Sequence, residues 1–248
     1  MKFDLSDITV VILNWMQSRL TLGAIRNLKK YYPSLPIIVV DNGTKDKDEE
    51  LFGRVYSRND KERLFDDDVE KLRLATKEYN FTLIELDENL GQGIAVDVGV
   101  SNVKTKLVLL MDNDARLLRG DLVEEYLEKM DENTFSVGIR YPYNSLHKLY
   151  VGLQFGLFLV APIIKYHLSF SGFKFEYDGK TLELEPGYPL HESMCGEFYT
   201  DRTRKTKWKT IIYPRIEEMP DRIIHLKIYE DQEDVQNQIE RWNKWVDG

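Results

Sequence analysis

Ile8-Thr-Val-Val-Ile-Leu13, Pro36-Ile-Ile-Val-Val40 and Leu107-Val-Leu-Leu-Met111 are continuous aliphatic runs, and each stops on a polar cluster. A strand with one wet face alternates polar and apolar residues. A run without alternation belongs to a strand buried on both faces, which points to a largely parallel sheet covered by helices. Segments with helical spacing separate the runs. Arg19 to Tyr32 carries Leu20, Leu22, Ile25 and Leu28 and stops at Pro33. Phe81 to Leu86 reads as a further strand, Asn89-Leu-Gly91-Gln-Gly93 as a turn, and Ile94 to Asn102 as a short helix. Between the second and third strands, Thr44 to Asn80 is charge-dense, with helices predicted over Glu49 to Leu64 and Asp68 to Tyr79. Asp66-Asp67-Asp68 has the make-up of an acidic helix start.

After Asp114 the rhythm changes. A helix is predicted over Asp121 to Met130, followed by strand-like segments at Thr134 to Tyr141, Leu149 to Val160, Phe173 to Leu184 and Trp208 to Tyr213. Asp231 to Val246 closes the chain as a helix. No repeat or linker divides the 248 residues, so one domain over 1–248 is expected, with two functional halves.

Composition excludes several classes. The net charge of −8 opposes sequence-independent nucleic-acid binding, which needs a basic surface to replace counterions. Cys195 is the only cysteine, so internal disulfides and multi-cysteine metal sites are ruled out. That usage fits the reducing cytoplasm. No stretch reads as a targeting segment. The longest apolar stretch, Val151 to Ile164, is broken by Gln154 and Pro162 and falls short of the roughly 18 to 20 residues that span a bilayer. Peripheral contact with a membrane surface stays compatible with the sequence.

Ligands of open α/β sheets bind beyond the carboxyl ends of the strands. Asn14-Trp15, Asp41-Asn42-Gly43 and Asp112-Asn113-Asp114 all fall at such ends. Asp112 and Asp114 flank one Asn, a spacing at which hard carboxylate oxygens suit Mg2+ or Mn2+. An ordinary Asp/Asn turn has the same pattern.

ILNWMQSRLTLGAIRNL, IIVVDNGT and ENLGQGIAVDVGVSNVKTKLVLLMDNDARL occur in this order, and together they resemble the amino-terminal half of the family 2 inverting glycosyltransferases of GT-A fold. DND is similar to their DxD signature, and NLGQGIAVDVG to their N-x-G-x-x-x-A-x-N-x-G stretch, with Asp97 in the place of the second Asn. The resemblance implies an α/β fold in which a single Rossmann-like nucleotide-binding sheet (1–118) is fused to a smaller acceptor-side mixed β region (119–248). It implies a nucleoside diphosphate sugar as donor and a glycan, lipid or protein as acceptor. Asn14, Asp41, Asn89, Gly91 and Asp112 would bind the donor, with Asp41 at the base and Asp112 near the ribose. Asp114, with Asp112, would hold the divalent ion, and His225 stands where some members have a histidine facing it. A histidine within Ile-Ile-His-Leu is more often a structural strand residue than a ligand. Arg19, Arg116, Arg202 and Arg204 are candidate cations for the departing diphosphate, or solvated charges.

In the second half, Gly196-Glu197-Phe198-Tyr199-Thr200-Asp201-Arg202 is similar to the family's acidic block, whose second carboxylate acts as general base. Phe198 occupies that place here, leaving Glu197 first, Asp201 second and Glu192 third as the base. The departure also supports a rival reading, a catalytically inactive descendant that binds a nucleotide sugar or a protein. A sugar-phosphate nucleotidyltransferase would want a Gly-rich basic loop after the first strand, where this chain has Asn-Trp-Met-Gln-Ser-Arg. A haloacid-dehalogenase phosphatase would place its Asp pair after the first strand rather than the fourth. Gln238, Arg241 and Trp242 match the Gln-x-x-Arg-Trp motif of processive synthases, but on an amphipathic closing helix the pattern also arises from packing.

Overall fold

The computed structural model describes residues 2–44, 69–140, 150–177, 180–184, 186–187, 189, 208–214, 218–219 and 221–225. Strands β1 (Ile8–Asn14), β2 (Ile37–Asp41), β3 (Thr82–Glu85) and β4 (Leu107–Met111) pair in parallel in the order 3-2-1-4. They alternate with α1 (Ser18–Tyr31), α2 (Glu70–Tyr79) and α3 (Gln92–Ser101). The sheet continues beyond β4 with β7 (Val151–Leu159), β6 (Thr134–Arg140) and β10 (Lys209–Tyr213). Of these seven strands only β7 runs against the rest, pairing antiparallel with both β4 and β6.

Burial of β1, β2 and β4 on both faces explains their unbroken aliphatic sequences. Ile8, Val10, Ile12, Val39 and Leu109 meet α1, α2 and α4 (Leu122–Lys129) on one face. Val11, Val40, Val108 and Leu110 meet α3 and α5 (Val160–Lys165) on the other. The chain is therefore a helix–sheet–helix sandwich.

The expected fusion of the two halves takes the form of sheet extension, with three strands of the second half continuing the first-half sheet. One expectation changes. Phe173 to Leu184 is a hairpin of β8 (Phe173–Tyr177) and β9 (Lys180–Leu184) rather than one strand. The strand expected over Leu149 to Val160 is present as β7, and the apolar stretch runs on from it into α5. Pro162 lies in the first turn of that helix, where no intrahelical N–H bond is lost. A small antiparallel pair, β5 (Ala115–Leu117) with β11 (Ile223–His225), lies just after the Asp112–Asp114 turn. Among the described residues no helix is long and apolar enough to cross a membrane.

Candidate active site

The strand order reverses at β1, whose neighbours are β2 and β4, so a crevice opens between the carboxyl ends of β1 and β4. A cleft of about 390 Å³ occupies it, lined by the three strand-end clusters and by the start of α3. Asn14 and Trp15 come from β1, Asn42 from β2, Asp112, Asn113 and Asp114 from β4, and Asn89, Gly91 and Gln92 from the entry to α3. The amino end of a ten-residue helix thus opens on the cleft, where its unpaired N–H groups favour an anion.

Beneath the cleft floor lies a dense polar network. Asn14 and Asp41 stand opposite each other in the β1–β2 register. The Asn14 amide donates to Asp41 Oδ1 at 2.6 Å and to Thr44 Oγ1 at 3.2 Å, and its oxygen accepts from Thr21 at 2.7 Å. Asp41 also accepts from the Thr44 hydroxyl and, at 3.1 Å, from the Thr44 N–H. Its carboxylate is 2 % exposed and serves three internal donors, so its structural task is to fold the 41–44 turn. Asn42 then spans to the α3 entry, donating to Asn89 Oδ1 at 2.8 Å and accepting from the Leu90 N–H at 3.0 Å. Gly43, at φ +69°, completes the turn, and a Cβ there would lie 2.2 Å from the Glu88 carbonyl carbon. Only glycine fits that approach.

Asp112 and Asp114 reach the cleft from the turn after β4, Asp112 half-buried and Asp114 buried. Asn113 between them turns toward α1, donating to Gln17 Oε1 at 3.1 Å and Thr21 Oγ1 at 3.2 Å. Two hard carboxylates on one short turn are a donor set that fits Mg2+ or Mn2+ with phosphate oxygens completing the shell. Among the described residues no three His, Cys, Asp or Glu side chains gather as a self-sufficient metal cage. His225 stands in register with Ala115, one position beyond Asp114. Arg116 is corrected from a candidate phosphate cation to an interior residue. It is 3 % exposed, and its guanidinium donates to the carbonyls of Asn113, Ala115 and Leu20. Burial pulls it down to about 10, still protonated at neutral pH, and Asp114 counters that pull.

Asp97, in the place of the family's Asn, joins α3 to the segment after α5. It accepts from the Ser169 hydroxyl and, at 2.8 Å, from the Phe170 N–H. Burial raises its carboxyl above the usual carboxylate range, more than those two bonds lower it. A carboxyl raised in the folded state stabilises fully below its unfolded pKa, and that stabilisation is lost as pH rises through the folded value. Asp97→Asn removes the charge and keeps one acceptor oxygen for the Phe170 N–H, while the Ser169 hydroxyl turns to accept from the amide nitrogen. Its melting temperature relative to wild type is expected to climb between about pH 4 and pH 7, read by thermal circular dichroism. A difference that stays flat across this range would contradict the assignment.

Glu192, Glu197, Asp201, Arg202, Arg204 and the helix predicted over Asp231 to Val246 lie outside the described residues, as do Glu49 to Leu64 and Asp66 to Asp68. Thr21, Thr44, Gln17 and Gln92 were not singled out by sequence. Thr44 had a signal, since it stands third after Asp41 in an Asp-Asn-Gly-Thr turn. The indole nitrogen of Trp15 is buried beside the cleft with no hydrogen-bond partner among the described residues.

The profile of the glycosyl transferase family 2 matches residues 9–213, and the chain belongs to that family. Its seven-stranded sheet is the GT-A arrangement. Among solved structures, the mannosyltransferase PcManGT from Pyrobaculum calidifontis, in complex with GDP-Man and Mn2+, superimposes with a TM-score of 0.53 at 13% identity, covering 84% of this chain and 55% of that one. TarS 1–349 from S. aureus gives a TM-score of 0.41 at 12% identity, covering 66% of this chain and 50% of that one. The chain thus spans about half the length of these solved structures, and at 13% identity the likeness to PcManGT is one of fold. A comparison with curated protein sequences gives no match.

Proposed function

We propose that this chain transfers a sugar from a nucleoside diphosphate donor to a hydroxyl of a glycan, lipid or protein acceptor, with inversion at the anomeric carbon. The observation that carries the reading is convergence. Three polar strand ends and one helix start share a single cleft at the sheet's switch point, in a chain of glycosyl transferase family 2. The bound GDP-Man and Mn2+ of PcManGT supply the matching ligand classes.

In this reading the turn built by Asp41 and the Asn42–Asn89 bridge hold the nucleoside, and the amino end of α3 faces its phosphates. Asp112 and Asp114 would hold Mg2+ or Mn2+ together with diphosphate oxygens. When bound, the ion offsets the charge that builds on the departing nucleoside diphosphate. The acceptor oxygen attacks the anomeric carbon from the face opposite the diphosphate, the glycosidic bond to phosphate breaks, and a carboxylate takes the hydroxyl proton. Glu197 is the first choice for that base and Asp201 the second.

General-base removal typically lowers the chemical step by about 10²–10⁴-fold. Glu197→Gln is therefore expected to cut kcat by roughly that factor while nucleotide affinity by calorimetry stays near wild type. An equal loss in Asp201→Asn with Glu197→Gln fully active would transfer the role. The inactive descendant, which Phe198 favours, predicts something different: nucleotide sugar binds and no nucleoside diphosphate is released under any acceptor.

A further inference from the structure

We infer that Arg116 is the positioning residue of the Asp112–Asp114 turn, setting the two carboxylates for a divalent cation from beneath α1. The inference rests on the metal-assisted reading above. Arg116 Nη1 donates to the carbonyls of Asn113 and Ala115, each at 2.7 Å, and so grips the backbone on both sides of Asp114. Nη2 donates to the Leu20 carbonyl of α1 at 2.9 Å. One plane of donors therefore ties the turn to the helix.

Gly23, also on α1, makes the seat. A Cβ there would lie 2.6 Å from Nη2, inside any tolerable contact. Two further ties hold the same stretch. Asn113 bonds Gln17 and Thr21, and Asn27 brackets Leu117, donating to its carbonyl at 2.9 Å and accepting from its N–H at 2.8 Å. Residues 113, 115 and 117 are thus all anchored toward α1, while Asp112 and Asp114 line the cleft. Two carboxylates on one short turn repel each other, and the buried guanidinium lies within electrostatic reach of Asp114. The seat keeps the pair assembled before a cation arrives.

Lysine cannot replace this group. Its ammonium is a single strongly hydrated point, whereas the three carbonyls are met by a planar fork. Alteration of a group that orients metal ligands typically costs about 10–100-fold in metal affinity. Arg116→Lys, Arg116→Met and Gly23→Ala are all expected to weaken Mn2+ binding by that order. The titration would follow the electron paramagnetic resonance signal of free Mn2+ in the presence of UDP, GDP or dTDP. Binding of UMP, GMP or dTMP without metal should change less than about twofold, because Asn14, Asp41 and Thr44 on the base side are tied by bonds of their own. A merely structural role for Arg116 predicts lower melting temperatures with wild-type Mn2+ affinity in the folded protein, and that result would overturn the inference. Gly23→Ala keeps the arginine and displaces it, so it carries the test if Arg116→Met folds poorly. Wild type that takes up no Mn2+ with any of the three diphosphates would instead overturn the donor-site reading, and the inference with it.

Discussion

Asp114→Asn is expected to lower sugar transfer by about 10³-fold, a barrier increase of about 4 kcal/mol, with the fold retained. The side chain is 6 % exposed at the end of a strand buried on both faces, so an amide of the same shape keeps the packing. The lost charge is what matters. The carboxylate is one of only two acidic groups on the turn, and a neutral amide oxygen is a poor ligand for a hard divalent ion. Release of nucleoside diphosphate under saturating donor, compared with a thermal melt of the same preparation, separates the two effects. A variant that melts normally and transfers at the wild-type rate would remove Asp114 from the chemistry. Asp112 is half-buried, and its replacement is expected to act through donor affinity as well as rate.

Asp41→Ala should have the largest effect on stability among the cleft residues. Removal of the carboxylate takes the acceptor from the Thr44 hydroxyl and the Thr44 N–H in a buried site, and leaves the Asn14 amide with its longer bond to Thr44 Oγ1. Each orphaned buried donor costs about 1–3 kcal/mol, partly relieved by rearrangement, so a loss of about 3 kcal/mol is expected. For a chain of this length that corresponds to a melting temperature lower by roughly 6–12 °C. Asn14→Ala in the same background should add little, because the two residues already share one bond network. A drop of less than about 2 °C for Asp41→Ala would mean that the turn holds without its carboxylate. Asp41 would then be free to serve the base of the nucleotide alone.

The parts of the fold legible in the sequence are those whose signals are local. β1, β2 and β4 announce themselves because burial on both faces demands unbroken aliphatic runs, and their carboxyl ends carry the polar clusters that meet in the cleft. β5 is illegible for the opposite reason. Three residues are a strand only because β11 pairs with them from more than a hundred positions away. The passage from β7 into α5 is hidden because an apolar stretch without periodicity suits a buried strand and a buried helix alike. Arg116 shows the same limit within the site. A cation two residues after an acidic pair invites a phosphate role, and nothing nearby reveals the Leu20 carbonyl or the space left by Gly23, both of them more than ninety residues back. Asp97 is a local departure from a family pattern whose partners, Ser169 and Phe170, become visible only in three dimensions.

The central claim is that the strand-end cleft binds a nucleoside diphosphate through Asp112 and Asp114 with a divalent ion. Calorimetric titration of UDP, GDP and dTDP into wild type and Asp114→Asn, with and without Mn2+, tests it most directly. The account predicts that one nucleoside class binds wild type with Mn2+, at least about tenfold more weakly without it, a difference of about 1.4 kcal/mol, and that the variant loses this metal-dependent gain. Binding of equal strength with and without Mn2+ in both proteins, or no binding of any of the three, would contradict it.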